Sequence, residues 1–244
     1  MITLYAFAPA FALPGPGPFA LKTEVHLMMM KLGYQTRFEG YAQAPKGKLP
    51  YIDDDGTLVA DSTFIRFHLE RKYSVDLDAG LSEVQRANVW AIERLVEDHL
   101  YWAMVHSRWA IDENFHKGPA HFFDHLPEGI QHEARQKQRA AVLGYLQGQG
   151  IGRHSPVEIG LLAQRGYHAL SQLLGDKPYL AGDEPCGADA SVFAQIASAL
   201  SPSFESPVRE AAASHSNLVS YSNRMMAAYF PSFVKSPTNH SAQR

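Results

Sequence analysis

The segment Lys46-Gly47-Lys48-Leu49-Pro50-Tyr51-Ile52-Asp53-Asp54-Asp55-Gly56, followed by Asp61-Ser62-Thr63, constrains this chain more than any other part of it. Leu49 to Ile52 is a short apolar run, the three aspartates with Gly56 predict a hairpin turn, and Thr57 to Ala60 predicts the returning strand. Pro50 has no N–H to give to a ladder, so it belongs at an edge or a strand start, and an X–Pro bond reaches the cis form at small cost. A cis Leu49–Pro50 bond leaves the Leu49 amide and carbonyl facing outward, free to pair with an extended ligand. Asp61 and Ser62 then open a helix whose apolar positions are Phe64, Ile65, Phe67 and Leu69. The free amides of its first turn make an anion-binding corner. A backbone-pairing edge beside a carboxylate-binding helix start suits a small thiol peptide.

These residues resemble the ligand-binding half of the glutathione transferase fold, and more closely the failed-axon-connections and metaxin-like branch, whose members carry a similar K-G-K-x-P-Y-I-x-D-D-G and D-S-T-F-I sequence. Two further segments agree. Pro14 to Lys22 with Thr23-Glu24 looks like that branch's first strand-to-helix turn, and Asn217-Leu218-Val219 with Tyr221, through Arg224-Met225-Met226 to Tyr229-Phe230-Pro231, looks like its last helix. The resemblance covers nearly the whole chain. It implies an α/β thioredoxin-like N-terminal domain plus an all-α C-terminal domain, a homodimer, and glutathione as cosubstrate held by Phe19, Lys48, Leu49, Pro50, Asp61 and Ser62.

The hydrophobic periodicity places the boundary between the two parts. Ile2–Phe7, Gln35–Glu39 and the hairpin read as strands, and Phe19–Leu32 and Ser62–Tyr73 as helices, which is a thioredoxin-like order. From Ser82 onward the pattern is helical: Glu83–Ala110, Gln131–Leu146, Pro156–Leu174, Asp189–Leu200 and Asn217–Tyr229. The expected domains are therefore 1–76 and 82–234, with a short connector between them. The polar tail 235–244 is expected to be disordered.

Composition bounds the function. The chain has 244 residues, of which 45% are hydrophobic and 19% charged, enough for a sizeable core. A net charge of −3 without basic clusters points away from nucleic acid and anionic membrane. No apolar run approaches the roughly 20 residues a bilayer span needs. The apolar N-terminus has no positive residue before Lys22 and is interrupted by Pro9, Pro14, Pro16 and Pro18, so it reads as a first strand and loop, not a signal peptide. The lone Cys186 forms no internal disulfide and fits a reducing, cytoplasmic setting.

Glutathione chemistry needs a donor that holds the sulfur as a thiolate. Relatives usually read S-P-F at the first helix start, whereas this chain reads Gly17-Pro18-Phe19, so that hydroxyl is missing. Pro18 suits the first helical position, and the amides of Phe19 and Ala20 together with the helix dipole still favour a thiolate. Tyr5 is the candidate catalytic substitute, because other branches of the family use a tyrosine at the end of the first strand; the competing reading is a strand residue packed at the domain edge. Tyr41, Tyr101 and Trp102 are candidates for the cleft lining.

Other clusters carry less. Asp189 sits where glutathione transferases place the acidic member of a helix capping box, with Cys186 in the cap position usually held by Ser or Thr; a thiol is a weak acceptor, so half of the box is expected to be lost. A thiol at a helix start is also a conceivable nucleophile. His121 and His125 have i, i+4 spacing, but prolines bracket the pair and no acidic residue follows the zincin pattern, so no metal is expected. The three aspartates lack the spacing of a calcium loop. Glu93, Glu97 and Asp98 read as a solvated face or an inter-subunit contact. Two functions remain: an enzyme in which glutathione thiolate attacks or reduces a small electrophile, and a non-catalytic binding or scaffold protein on the same fold.

Overall fold

A computed structural model of the protein describes residues 1–234, so the predicted tail lies outside the described residues. Four strands, β1 (Ile2–Tyr5), β2 (Tyr34–Arg37), β3 (Tyr51–Asp54) and β4 (Thr57–Ala60), form one mixed sheet in the order β2-β1-β3-β4. β1 runs parallel to β2, with Leu4 opposite Thr36, and antiparallel to β3, with Leu4 opposite Ile52 and Tyr5 opposite Tyr51. The crossover between β1 and β2 carries α1 (Pro18–Met29), and α2 (Ser62–Tyr73) follows β4. Alternation along β1 sends Ile2 and Leu4 into a core with Leu27, Ile52, Ile65 and Leu69, so α1 and α2 cover one face of the sheet.

The hairpin differs from the expected one. Asp53 and Asp54 belong to β3, and the turn is Asp55 and Gly56, both with positive φ (54° and 87°) as a two-residue turn demands. Asp54 is held in the strand by α2. Its carboxylate accepts from Tyr73 Oη at 2.8 Å, pairs with Lys72 Nζ at 2.7 Å and lies 2.8 Å from His68 Nε2. What reads as a polar turn is thus a fully buried acceptor tying hairpin to helix.

The rest is helical: α3 (Glu83–Arg94), α4 (Tyr101–Trp109), α5 (Asp112–Lys117), α6 (Glu128–Gln149), α7 (Pro156–Leu174), α8 (Gly187–Leu200), α9 (Pro207–Ala213), α10 (Ser216–Tyr229) and α11 (Pro231–Val234). The single helix expected over Glu83–Ala110 is interrupted by a π-helical stretch, Leu95–Leu100, that joins α3 to α4. Helix α9 is short, and its Ser206 cap, which accepts from the Arg209 amide at 3.1 Å, followed by Pro207, was its available signal. Helix α8 is buried along almost its whole length and is the axis of the larger core, which also takes Leu21 and Val25 of α1 together with Tyr167 and Tyr221. α1 is therefore shared, one side facing the sheet and the other facing α8.

Both arms of the capping box at α8 are in place. Asp189 Oδ2 accepts from the Cys186 amide at 2.8 Å, and the Asp189 amide, which faces the sulfur, also donates to the Cys186 carbonyl at 3.0 Å. The backbone carbonyl makes up for the weak thiol, which corrects the expected loss. Asp189 Oδ1 further accepts from the Leu180 amide and from Tyr221 Oη at 2.8 Å. Burial beside that carboxylate pushes the Cys186 thiol up, so it stays protonated near neutral pH and the nucleophile reading fails.

Candidate functional site

Three segments meet through two contacts: the Leu49–Pro50 edge is bonded to the α2 start through the Pro50 carbonyl and the Asp61 amide, and the first turns of α1 reach α2 where Lys22 Nζ lies 3.4 Å from Thr63 Oγ1. The Leu49–Pro50 peptide is cis, and Leu49 precedes the ladder, which begins at Tyr51. Among the described residues none is hydrogen-bonded to the Leu49 amide or carbonyl. Pro50 is buried, and its carbonyl accepts from the Asp61 amide at 3.4 Å, fixing the edge against the helix start.

Asp61 caps α2, its Oδ1 accepting from the Thr63 amide at 3.2 Å and its Oδ2 pairing with Lys48 Nζ at 3.1 Å. These contacts hold its carboxyl below the usual range against the opposing effect of burial. The Asp61 backbone has φ 82°, a region that side-chain-bearing residues rarely occupy, and such a conformation persists only where the surroundings impose it. Ser62 is buried, yet no described residue bonds its amide or hydroxyl, so both donors are available to a carboxylate.

At α1 the N-cap is Gly17 and Pro18 is the first helical residue. The Ala20 amide donates to the Gly17 carbonyl at 3.1 Å, so it is not free to hold a thiolate as expected from sequence. The Gly17 and Phe19 amides remain, and the Phe19 ring packs 4.8 Å from that of Tyr101 on α4. Beyond them stands an aromatic wall: Phe7 lies 6.0 Å from Phe122, and Phe11 lies 5.3 Å from Phe122 and 4.9 Å from Phe204. Tyr41 extends it, 6.1 Å from Phe7, and Trp102 packs 5.2 Å from Tyr101.

Tyr5 alternates to the sheet face opposite α1. Its ring stacks on Tyr51 at 4.2 Å and 8°, under Gly40. Gly40 has φ 101°, and a Cβ there would stand 2.7 Å from Tyr51 Oη and 2.8 Å from the Tyr5 ring, so the stack requires glycine.

Beneath the site lies a buried charge network that sequence reading missed. Lys22 of α1 pairs with Glu97 at 2.6 Å and approaches Thr63 Oγ1 of α2 at 3.4 Å. Ser191 Oγ of α8 lies 2.8 Å from Glu97 Oε1 and 3.1 Å from Glu93 Oε1, its one proton shared between the two carboxylates. Arg66 of α2 pairs with Asp78 at 2.6 Å, Glu70 at 2.9 Å and Glu93 at 3.4 Å. The Arg66 guanidinium also leaves no room for a Cβ at residue 187, which would lie 2.3 Å from it. Glu93 and Glu97 are 1% and 5% exposed, which overturns their reading as a solvated or inter-subunit face. Burial pushes the Glu93 carboxyl up, against the pull of Lys22 and Arg66. Asp98 alone of the three remains exposed, paired with Arg94. Elsewhere, His121 Nδ1 lies 2.8 Å from Asp124, a surface contact shared with Arg135.

Known proteins carry the same elements. The family models for the glutathione S-transferase N-terminal domain and C-terminal domain match residues 18–115 and 163–225. An isoprene-epoxide–glutathione S-transferase of Rhodococcus sp. is 33% identical over 80% of this chain and 85% of its own. Failed axon connections of Drosophila melanogaster is 30% identical over 95% of this chain, which spans 58% of that protein. Metaxin-2 of Mus musculus is 25% identical over 88% of this chain and 83% of its own. Among solved structures, the beta-etherase LigF of Sphingobium sp. superposes with a TM-score of 0.63 at 17% identity, covering 96% of this chain and 99% of its own. A glutathione S-transferase of Methylobacillus flagellatus with glutathione bound gives 0.57 at 17% identity, with 96% and 98% covered. With a four-stranded sheet domain, an α8-centred helical domain and a relative 33% identical over 80% of this chain, the chain belongs to the glutathione S-transferase family.

Proposed function

We propose that the protein binds glutathione and transfers it to a small hydrophobic electrophile. The observation that carries this reading is a set of hydrogen-bonding groups without a partner among the described residues: the Leu49 amide and carbonyl for the peptide backbone, the Ser62 amide and hydroxyl for a carboxylate, and the Gly17 and Phe19 amides for the sulfur. Lys48 and Asp61 border the carboxylate end, and Pro50 sets the edge. In this reading the thiolate attacks carbon, a carbon–sulfur bond forms, and the displaced group leaves with its electron pair. For an epoxide, the substrate class in the Rhodococcus relative's name, the ring oxygen departs as alkoxide and takes a proton from water. The aromatic wall of Phe7, Phe11, Phe122 and Phe204 suits an apolar substrate. The Tyr5 ring, on the other face of the sheet, is the weaker candidate for activating the thiol than the α1 amides.

A second reading, a glutathione-fold binding or scaffold protein without turnover, is favoured by one observation: Gly17 supplies no hydroxyl to the sulfur. Likeness to Failed axon connections and the metaxins is consistent with it. The transferase reading also includes a homodimer and a cytoplasmic location. Calorimetric titration with glutathione, followed by conjugation assays with a chlorodinitrobenzene and with a small epoxide, tests the proposal. Binding with turnover supports the enzyme and binding without turnover the scaffold. Absence of binding overturns the transferase reading and leaves a scaffold on the same fold.

A further inference from the structure

Arg108 of α4 is 5% exposed, and among the described residues it is the buried cation at this interface without an acid. Lys22 and Arg66 each have carboxylate partners, whereas Arg108 Nη1 donates to the Pro16 carbonyl and Nη2 to the Ser198 carbonyl, both at 2.8 Å. Its Nε has no acceptor among the described residues. The titratable groups that face it are two phenols, Tyr101 on its own helix and Tyr167 on α7. The Phe11 and Phe204 rings lie 5.4 Å and 4.9 Å from the guanidinium. Burial pushes Arg108 down to about 10, so it stays charged at neutral pH. A buried charge with no counter-ion is costly, and a methionine would fill the same space more cheaply.

Its position gives the charge a use. Pro16 immediately precedes Gly17, so covalent geometry places the guanidinium within about 5 Å of the Gly17 amide. A sulfur accepting from that amide then lies within about 9 Å of it. The same loop is gripped at a second point, where Ser201 Oγ donates to the Phe11 carbonyl at 2.7 Å. Phe11 and Ala12 are consecutive non-glycine residues with φ 58° and 56°, a strained pair held in place by the Phe11 ring among Phe122, Phe204 and Arg108.

We propose that Arg108 is the positioning residue of the sulfur site: from the helical domain it fixes the Pro16 carbonyl at the α1 start and lends the buried positive charge that favours the glutathione thiolate where Gly17 offers no hydroxyl. This rests on the glutathione-binding reading above. The test uses the full chain with glutathione itself, measuring binding by calorimetry and the thiol pKa of the bound peptide by its thiolate ultraviolet absorbance. The wild-type complex is expected to hold the thiol pKa below that of free glutathione. Arg108→Gln is expected to raise it by about one unit, roughly tenfold less thiolate at neutral pH. Arg108→Lys, which keeps the charge, restores the wild-type value, a rescue that a packing role alone does not produce. A wild-type thiol pKa in Arg108→Gln, or the free-peptide value in Arg108→Lys, overturns the inference while leaving glutathione binding intact. If Arg108→Gln does not fold, Arg108→Lys alone decides. No glutathione binding by the wild type removes the functional reading and this inference with it.

Discussion

Lys22 Nζ and Glu97 Oε1 lie 2.6 Å apart with side chains 1% and 4% exposed, and they join the sheet domain to the helical domain directly behind the α2 start. Glu97 also accepts from Ser191 and, through Oε2, from Arg94 at 2.7 Å. An ion pair this deep adds little over an apolar pair of the same shape, but breaking one side strands the other charge. Glu97→Gln is therefore expected to lower unfolding stability by about 3–5 kcal/mol in urea titration, and the double variant Lys22→Met/Glu97→Leu by less than the single one. A Glu97→Gln loss below about 1 kcal/mol would mean that water reaches Lys22.

This network marks where sequence reading stops. Glu93 and Glu97 have the spacing of any solvated helix face, and their burial is decided by Lys22, Arg66 and Ser191, each far away in sequence. Asp54 was hidden for the same reason: three aspartates before a glycine look like a turn, and only His68, Lys72 and Tyr73 on α2 turn the middle one into a buried acceptor. Arg108 carries no local signal. By contrast, the Leu49–Pro50 edge, the Asp61–Ser62 helix start and the Asp189 box are local devices whose chemistry is written in adjacent residues, so they could be read directly.

Gly17 is the position where one atom tests the enzyme reading. Its φ of −101° and ψ of 116° suit any residue, and a Cβ there would meet only Phe7 Cδ2 at 3.6 Å. Gly17→Ser thus places a hydroxyl at the α1 start without strain. A hydrogen bond to a charged sulfur contributes about 1.5–3 kcal/mol, so turnover with a chlorodinitrobenzene is expected to rise roughly 10- to 100-fold. Unchanged turnover with intact glutathione binding would place the sulfur away from the α1 start.

Ser62 separates the carboxylate corner from the rest of the site. Removing its hydroxyl by Ser62→Ala leaves the helix cap on Asp61 untouched, since Asp61 Oδ1 makes that bond to Thr63. Glutathione affinity is expected to fall by about 1.5–3 kcal/mol in calorimetry, with little change in thermal stability. Equal affinities for the variant and the wild type would remove Ser62 from the binding site.

Phe64, Phe67 and Trp90 form an exposed aromatic run across α2 and α3, 55%, 48% and 45% exposed, with ring centroids 6.2 Å and 6.4 Å apart. Lys46 stands 4.3 Å over Phe64 and Arg94 4.5 Å over Trp90, giving an apolar strip with a basic rim. Such a continuous strip is unusual on a monomer, and a second copy of the chain is its expected cover. Sedimentation of the wild type is expected to give a dimer, and Phe67→Asp with Trp90→Asp a folded monomer. A wild-type monomer at all practical concentrations refutes the homodimer.

His26 gives the fold a definite pH dependence. Its Nε2 lies 2.9 Å from the Gly187 carbonyl, so the neutral ring carries its proton there, and Nδ1 has no partner among the described residues. Burial, with Lys22 and Arg66 nearby, holds its pKa well below the ordinary value. In the unfolded chain the ring titrates near about pH 6.5. Below that point the unfolded state takes a proton that the folded state refuses, so stability is complete above about pH 6.5 and is lost as pH falls, by up to about 1.4 kcal/mol per unit. His26→Gln retains an N–H donor for Gly187 but has no proton to gain. Urea titrations are therefore expected to show the slope between about pH 6.5 and 5 reduced by nearly one proton in this variant. Burial also depresses His106 and His215, but these are common to both proteins, so the difference between the two curves isolates His26. Parallel curves would mean that the folded interface accepts a charged ring at this position.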